Sequence, residues 1–176
     1  MNVETIEQYI ALLFNKSRIK IPFYIFSADN MWENVNNVNK FPICIIQNTD
    51  RKKGPGQHWI AWWVISHTET EYFDSYGSSV CNYRYVIKPT KNILKENCTV
   101  LQSSRSYLCG AYCIYYLYLR ALGKSYENIM DNFTHQVLSN DYKINHFMNY
   151  VPELTFNFRC RGDSQKNTCR DIYSNL

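Results

Sequence analysis

What constrains this chain most is the stretch Leu101 to Leu122, LQSSRSYLCGAYCIYYLYLRAL. Its second part, Cys109 to Leu122, is apolar and Tyr-rich, with Arg120 as its one charge. Such a run reads as a helix that buries most of its circumference. Gly123 follows and suits a left-handed C-terminal cap. The first part reads as the end of a strand and then a polar loop. Cys109 sits where loop becomes helix. Unpaired backbone N–H groups and the positive end of the helix macrodipole lie there, and both favour a thiolate. Gln102 is close enough upstream to set an amide donor beside that sulfur.

Other elements follow in order. Asn2 can cap a first helix, in which Ile6, Tyr9, Ile10, Leu13 and Phe14 repeat at helical spacing. Phe23 to Phe26 is a short strand, and the polar, Asn-rich Asp29 to Lys40 a loop. Phe41-Pro42 opens a strand over Ile43 to Ile46. Asn48 to Gln57, NTDRKKGPGQ, reads as an exposed turn. His58 to Ile65 is almost continuously apolar, so it is expected to be buried on both faces. A turn over Ser66 to Glu71 leads to a paired strand, Tyr72 to Ser75. Such a hairpin brings His58 and Asp74 together. Val80 to Leu94 is mixed, and Cys98 to Gln102 reads as the next strand. Ser125 and Asn140 can cap helices over Tyr126 to Phe133 and Asp141 to Val151, with Pro152 closing the second.

The 176 residues predict one domain over 1–158, with a polar, basic tail over 159–176. Hydrophobic residues make up 45% and charged residues 19%, which excludes a disordered chain. The aromatic load suits a core with Tyr-rich edges or a peptide groove. A net charge of +4 permits an acidic partner such as DNA, and Arg51-Lys52-Lys53 reads as solvated surface or as a nucleic-acid contact. With no secretory signal and no run long enough to span a bilayer, the expectation is an intracellular protein without a membrane partner. Seven Cys, with no CxxC pair and no matching His pair, suggest reduced thiols rather than structural zinc.

A Cys nucleophile needs a base, a group to orient the base, and donors for the oxyanion. His58 serves as base, Asp74 as orienting carboxylate, and Gln102 with the Cys109 N–H as oxyanion donors. The order His, Asp, Gln, Cys excludes the papain arrangement. Trp59, Tyr107 and Leu108 are candidate substrate-binding residues, and Trp59 could shield His58. Cys113 reads as core, and His67, His135 and His146 as surface or structural.

Gly56-Gln57-His58-Trp59, Tyr72-Phe73-Asp74-Ser75-Tyr76-Gly77, and Gln102 separated by six intervening residues from Cys109-Gly110 resemble the adenovirus protease (adenain) family. Its wider clan also holds the proteases of ubiquitin-like modifiers. Similarity extends upstream to Cys44–Thr49 and, more weakly, through Val137–Asn140 to the last helix. Asp74 stands where the family commonly has Glu, and no Cys matches the one the family uses for a peptide disulfide. The resemblance implies an α+β fold, with a central mixed sheet flanked by helices and the nucleophile at the N-terminus of a buried helix. It implies a monomeric cysteine endopeptidase that needs no cofactor for its chemistry. Capsid and core precursors of a double-stranded DNA virus or virus-like transposon would be cut after small residues, often Gly, in the host nucleus, the virion or both, with DNA, a viral peptide or both as candidate activators. Alternatives remain open: a protease acting on ubiquitin-like modifiers, more distantly an acyltransferase built on the same triad, and a non-enzymatic nucleic-acid-binding module.

Overall fold

The strands over Ile43–Asn48 and Trp59–Val64 are buried along their whole length, so both faces of the sheet they build must be covered. The computed structural model describes residues 1–30 and 38–159, with side chains through Tyr150. It is an α+β chain with one five-stranded mixed sheet in the order β1 (Phe23–Phe26), β2 (Ile43–Asn48), β3 (Trp59–Val64), β4 (Glu69–Phe73), β5 (Asn92–Glu96). The two outer pairs are parallel and the two inner pairs antiparallel.

Strand alternation divides the core. Cys44, Ile46, Trp59, Ala61, Trp63 and Phe73 face the helices. Ile43, Ile45, Ile60, Trp62, Val64 and Tyr72 face the other way, where Val80, Tyr83, Val86 and Ile87 cover them. The helices are α1 (Val3–Lys16), α2 (Cys109–Ala121), α3 (Tyr126–Met130) and α4 (Val137–Arg159). In α2 every residue from Gly110 to Leu119 is buried, as its apolar composition requires. Asn2 caps α1 by accepting the Thr5 N–H at 2.8 Å. Buried Glu71 on β4 ties the sheet to α2, accepting from Arg120 at 2.7 and 3.0 Å and from the Tyr116 hydroxyl at 2.8 Å. Among the described residues no helix is long and apolar enough to cross a membrane.

Several expectations are corrected. Residues 98–102 form no strand; the fifth strand is Asn92–Glu96. Leu101 and Gln102 both donate their N–H to the Ser75 carbonyl, at 2.9 and 3.0 Å, which turns this segment across the end of the sheet. The strand after β3 begins at Glu69 and stops at Phe73, leaving Asp74 and Ser75 just beyond it. The turn over 48–57 is exposed only from Arg51 onward, because Asn48, Thr49 and Asp50 are buried. Asn48 and Asp50 spend their carboxamide and carboxylate oxygens on loop N–H groups. Asn140 does not cap a helix; it is buried inside α4 and donates to the carbonyls of Leu101 and Thr134. Pro152 does not close α4, which continues to Arg159; a proline removes one backbone donor there. The helix capped by Ser125 stops at Met130, short of Phe133. The loop expected over 29–40 falls largely on residues outside the described ones, and so does the tail after Arg159.

Gly77 and Gly123 both have positive φ, 64° and 86°, but their surroundings differ. A Cβ on Gly77 would lie 2.6 Å from the Thr99 carbonyl carbon, whereas one on Gly123 would meet nothing within 4 Å. Gly123→Ala is expected to cost about 1–2 kcal/mol, the penalty of a left-handed alanine. Gly77→Ala adds a backbone clash and should cost roughly 1–3 kcal/mol more. Urea unfolding of the two variants checks the difference; equal losses would remove the clash argument.

Candidate active site

His58 precedes β3 and Asp74 follows the last β3–β4 pair, Ala61 with Phe73. Both lie one residue outside their strands, at the end of the sheet where Cys109 of α2 also sits. They meet where the sheet ends: His58 Nε2 lies 2.7 Å from Asp74 Oδ1, with both residues buried. Nδ1 is the remaining ring nitrogen and makes no normal hydrogen bond. Cys109 is the half-buried first residue of α2. Its sulfur couples to His58 and to the N–H groups of Trp59 and Gly110. Leu108 supplies no side-chain cap to α2, so the orphan donors of the first turn are left to the sulfur and to whatever binds beside it.

Asp74 is fully buried and its acceptor sites are filled. Oδ1 accepts from His58 and from the Tyr76 N–H at 2.8 Å. Oδ2 accepts from the Tyr83 hydroxyl at 2.5 Å and the Tyr72 hydroxyl at 3.4 Å. Asn97 clamps its backbone, accepting from the Asp74 N–H at 2.8 Å and donating to its carbonyl at 2.6 Å. The Tyr76 ring stacks on the His58 ring with centroids 4.6 Å apart. Tyr72, Tyr76, Tyr83 and Asn97 were not singled out by the sequence reading for the site. Tyr72 and Tyr76 carry a local signal, their places two residues before and two after Asp74.

Gln102 is fully buried and its amide is fixed from both ends. Oε1 accepts from the Ser75 hydroxyl at 2.6 Å, and Nε2 donates to the Ser106 carbonyl at 2.8 Å. Longer contacts at 3.4 Å reach the hydroxyls of Tyr76 and Ser106. One amide proton is therefore committed and the other is only weakly held. Gln102 joins the Cys109 region through Tyr76 and Ser106.

A cleft of about 760 Å³ opens over Cys109. Trp59, Tyr76, Ser106 and Tyr107 line it on one side, and the loop from Asp50 to Gln57 on another. Tyr107 is 90% exposed. Leu108 is instead packed against the helix-side core. Trp59 does not cover His58; it belongs to the helix-side core, and its indole N–H donates to the Met1 carbonyl at 3.0 Å. Cys113 is buried, and His67, His135 and His146 are exposed. No group of three or more His, Cys, Asp and Glu among the described residues could hold a metal ion.

Burial disfavours charge on both His58 and Cys109. For His58, Asp74 and Cys109 outweigh that penalty and hold the imidazole up to about 9. For Cys109, the proximity of His58 and the N–H groups of Trp59 and Gly110 outweigh burial and bring the thiol below its ordinary value. Between those two limits the stable form is thiolate with imidazolium. The arrangement can therefore present a charged sulfur nucleophile next to a proton donor.

The pH dependence follows with a definite sign. The rate of Cys109 labelling by iodoacetate should rise as the thiol ionises, below the ordinary thiol range, and fall near pH 9 as His58 loses its proton. Asp74→Asn removes the charge that raises His58, so the alkaline limb should move down toward the ordinary imidazole value of about 6.5. Peptide mapping across pH reads both limbs; an unmoved limb in Asp74→Asn would uncouple the two residues. No family model and no curated protein matches this chain.

Proposed function

We propose that this chain is a cysteine endopeptidase of the adenovirus-protease type, with Cys109 as nucleophile. The observation that carries the reading is the Asp74–His58 pair set beside Cys109 at the uncapped N-terminus of a buried helix, under an open cleft. The four motif positions arrive in the order that the resemblance requires.

In the proposed reaction the Cys109 thiolate attacks the carbonyl carbon of an extended peptide. The carbonyl electron pair moves to oxygen, and the N–H of Cys109 with the loosely held Gln102 proton stabilises that oxyanion. His58 gives its proton to the leaving amine as the C–N bond breaks, which leaves a thioester on Cys109 and a neutral imidazole. His58 then takes a proton from water, the hydroxide displaces the sulfur, and the acid product leaves. Asp74 accepts the Nε2–H, so that Nδ1 does the proton transfer.

The resemblance extends the reading to substrates: viral capsid and core precursors cut after small residues such as Gly. A cleft walled by Trp59, Tyr76 and Tyr107 suits an extended chain with a small residue at the cut. DNA and a viral peptide as activators, and a nuclear or virion site of action, belong to the same proposal. Exposed Arg51 and Lys52 line the cleft and suit an anion.

Cys109→Ala should abolish hydrolysis of a Gly-containing peptide ester while leaving the unfolding curve unchanged, and His58→Ala should be nearly as damaging. Gln102→Ala should lower kcat by roughly 10²–10³ if its amide donates to the oxyanion. Steady-state kinetics with and without DNA make the comparison. Wild-type activity in Cys109→Ala, alongside salt-dependent DNA binding, would favour the nucleic-acid-binding module instead.

A further inference from the structure

A buried carboxylate that orients a histidine needs its second oxygen satisfied as well as its first. Here that oxygen is served by two tyrosine hydroxyls, and neither belongs to the triad or to its oxyanion donors. Tyr83 makes the short contact, 2.5 Å to Asp74 Oδ2, and Tyr72 the long one, 3.4 Å. Tyr83 follows a turn of 3₁₀ helix over Val80–Asn82, and it lies in the segment that covers the sheet face opposite α2. Its ring also flanks His58, with centroids 6.0 Å apart. Tyr72 divides its hydroxyl between Asp74 and the Ser78 carbonyl at 3.1 Å, so it holds Asp74 less firmly.

We propose that Tyr83 is a positioning residue, whose hydroxyl fixes the Asp74 carboxylate and limits how strongly it draws on His58. The inference rests on the cysteine-protease reading of the site. The physical argument has two parts. A carboxylate whose Oδ2 is held cannot rotate Oδ1 away from Nε2. A strong donor on Oδ2 also takes up part of the negative charge, which leaves Oδ1 a weaker acceptor for the imidazolium proton. Burial and the neighbouring Asp74 charge both keep the Tyr83 hydroxyl protonated, so it remains a donor. The charged and titratable groups around Asp74 are His58, Tyr72, Tyr76 and Tyr83, with Cys109 and buried Cys113 from α2, while Glu96 on β5 acts on Tyr72. Of the two tyrosine hydroxyls that touch the carboxylate, that of Tyr83 makes the shorter contact and can be removed without altering the backbone or the base.

Tyr83→Phe is the test, with Tyr142→Phe, an exposed tyrosine on α4, as control. Two quantities are read on folded protein: the pH profile of Cys109 alkylation by iodoacetate, mapped by peptide, and the His58 titration followed by NMR. The expected result in Tyr83→Phe is a rate about fivefold to tenfold lower at neutral pH, from a less fixed pair. The alkaline limb and the His58 titration should move up together by roughly half a unit, because the carboxylate then acts more strongly on the imidazole. Tyr142→Phe should change neither. An unchanged rate and limb would overturn the proposal. So would a lower rate with an unmoved limb, since that is what loss of packing alone would give. Failure of the wild-type protein to label at Cys109 would instead overturn the protease reading itself.

Discussion

Asp74 is a carboxylate placed where no water reaches it, and much of the architecture around the cleft follows from keeping it there. An ionised carboxylate in that position is costly unless each oxygen is hydrogen-bonded. The donors come from four separate parts of the chain: His58 before β3, Tyr72 on β4, Tyr76 in the turn after β4, and Tyr83 beyond the 3₁₀ turn. Asn97, after β5, fastens the backbone at the same point. One charge thereby gathers the end of the sheet into a fixed frame.

The central helix packs on one face of the sheet and brings Cys109 to that frame. Its burial is set by apolar packing against Trp59, Ala61, Trp63 and Phe73, and its depth by the Glu71–Arg120 ion pair, which also reaches Tyr116. Two independent anchors thus fix Cys109 relative to His58. The first is hydrophobic and shared along the helix; the second is electrostatic and local. The Gly110 N–H lies against the Cys109 sulfur, and Leu108 gives the helix end no side-chain cap. That is a stability cost of the kind that functional sites carry.

The segment from Cys98 to Tyr107 connects the frame to the helix. It is held by the Ser75 carbonyl, by Asn97 and by Asn140, rather than by a strand ladder. This explains both why it did not behave as a strand and why Gln102 is so firmly placed. A ladder would have spent its backbone groups on a neighbour strand, whereas the turn leaves Gln102 to reach Ser75 on one side and Ser106 on the other.

Local pattern determined a good deal of this protein. The capped first helix, the doubly buried third strand, the hairpin that joins His58 to Asp74, and the apolar helix with Cys109 at its start are all legible, because each depends on residues close in the chain. The frame around Asp74 is not. Tyr83 and Asn97 are ordinary residues until folding sets them beside one carboxylate, from up to 23 positions away. The same is true of Asn140, whose place at a helix-start position suggested a cap. Its side chain is used instead by Leu101, 39 positions upstream. Short-range periodicity reports which face of an element is apolar. Which distant polar groups satisfy a buried charge is decided only when the elements pack, since that choice is made by three-dimensional proximity and not by order in the chain.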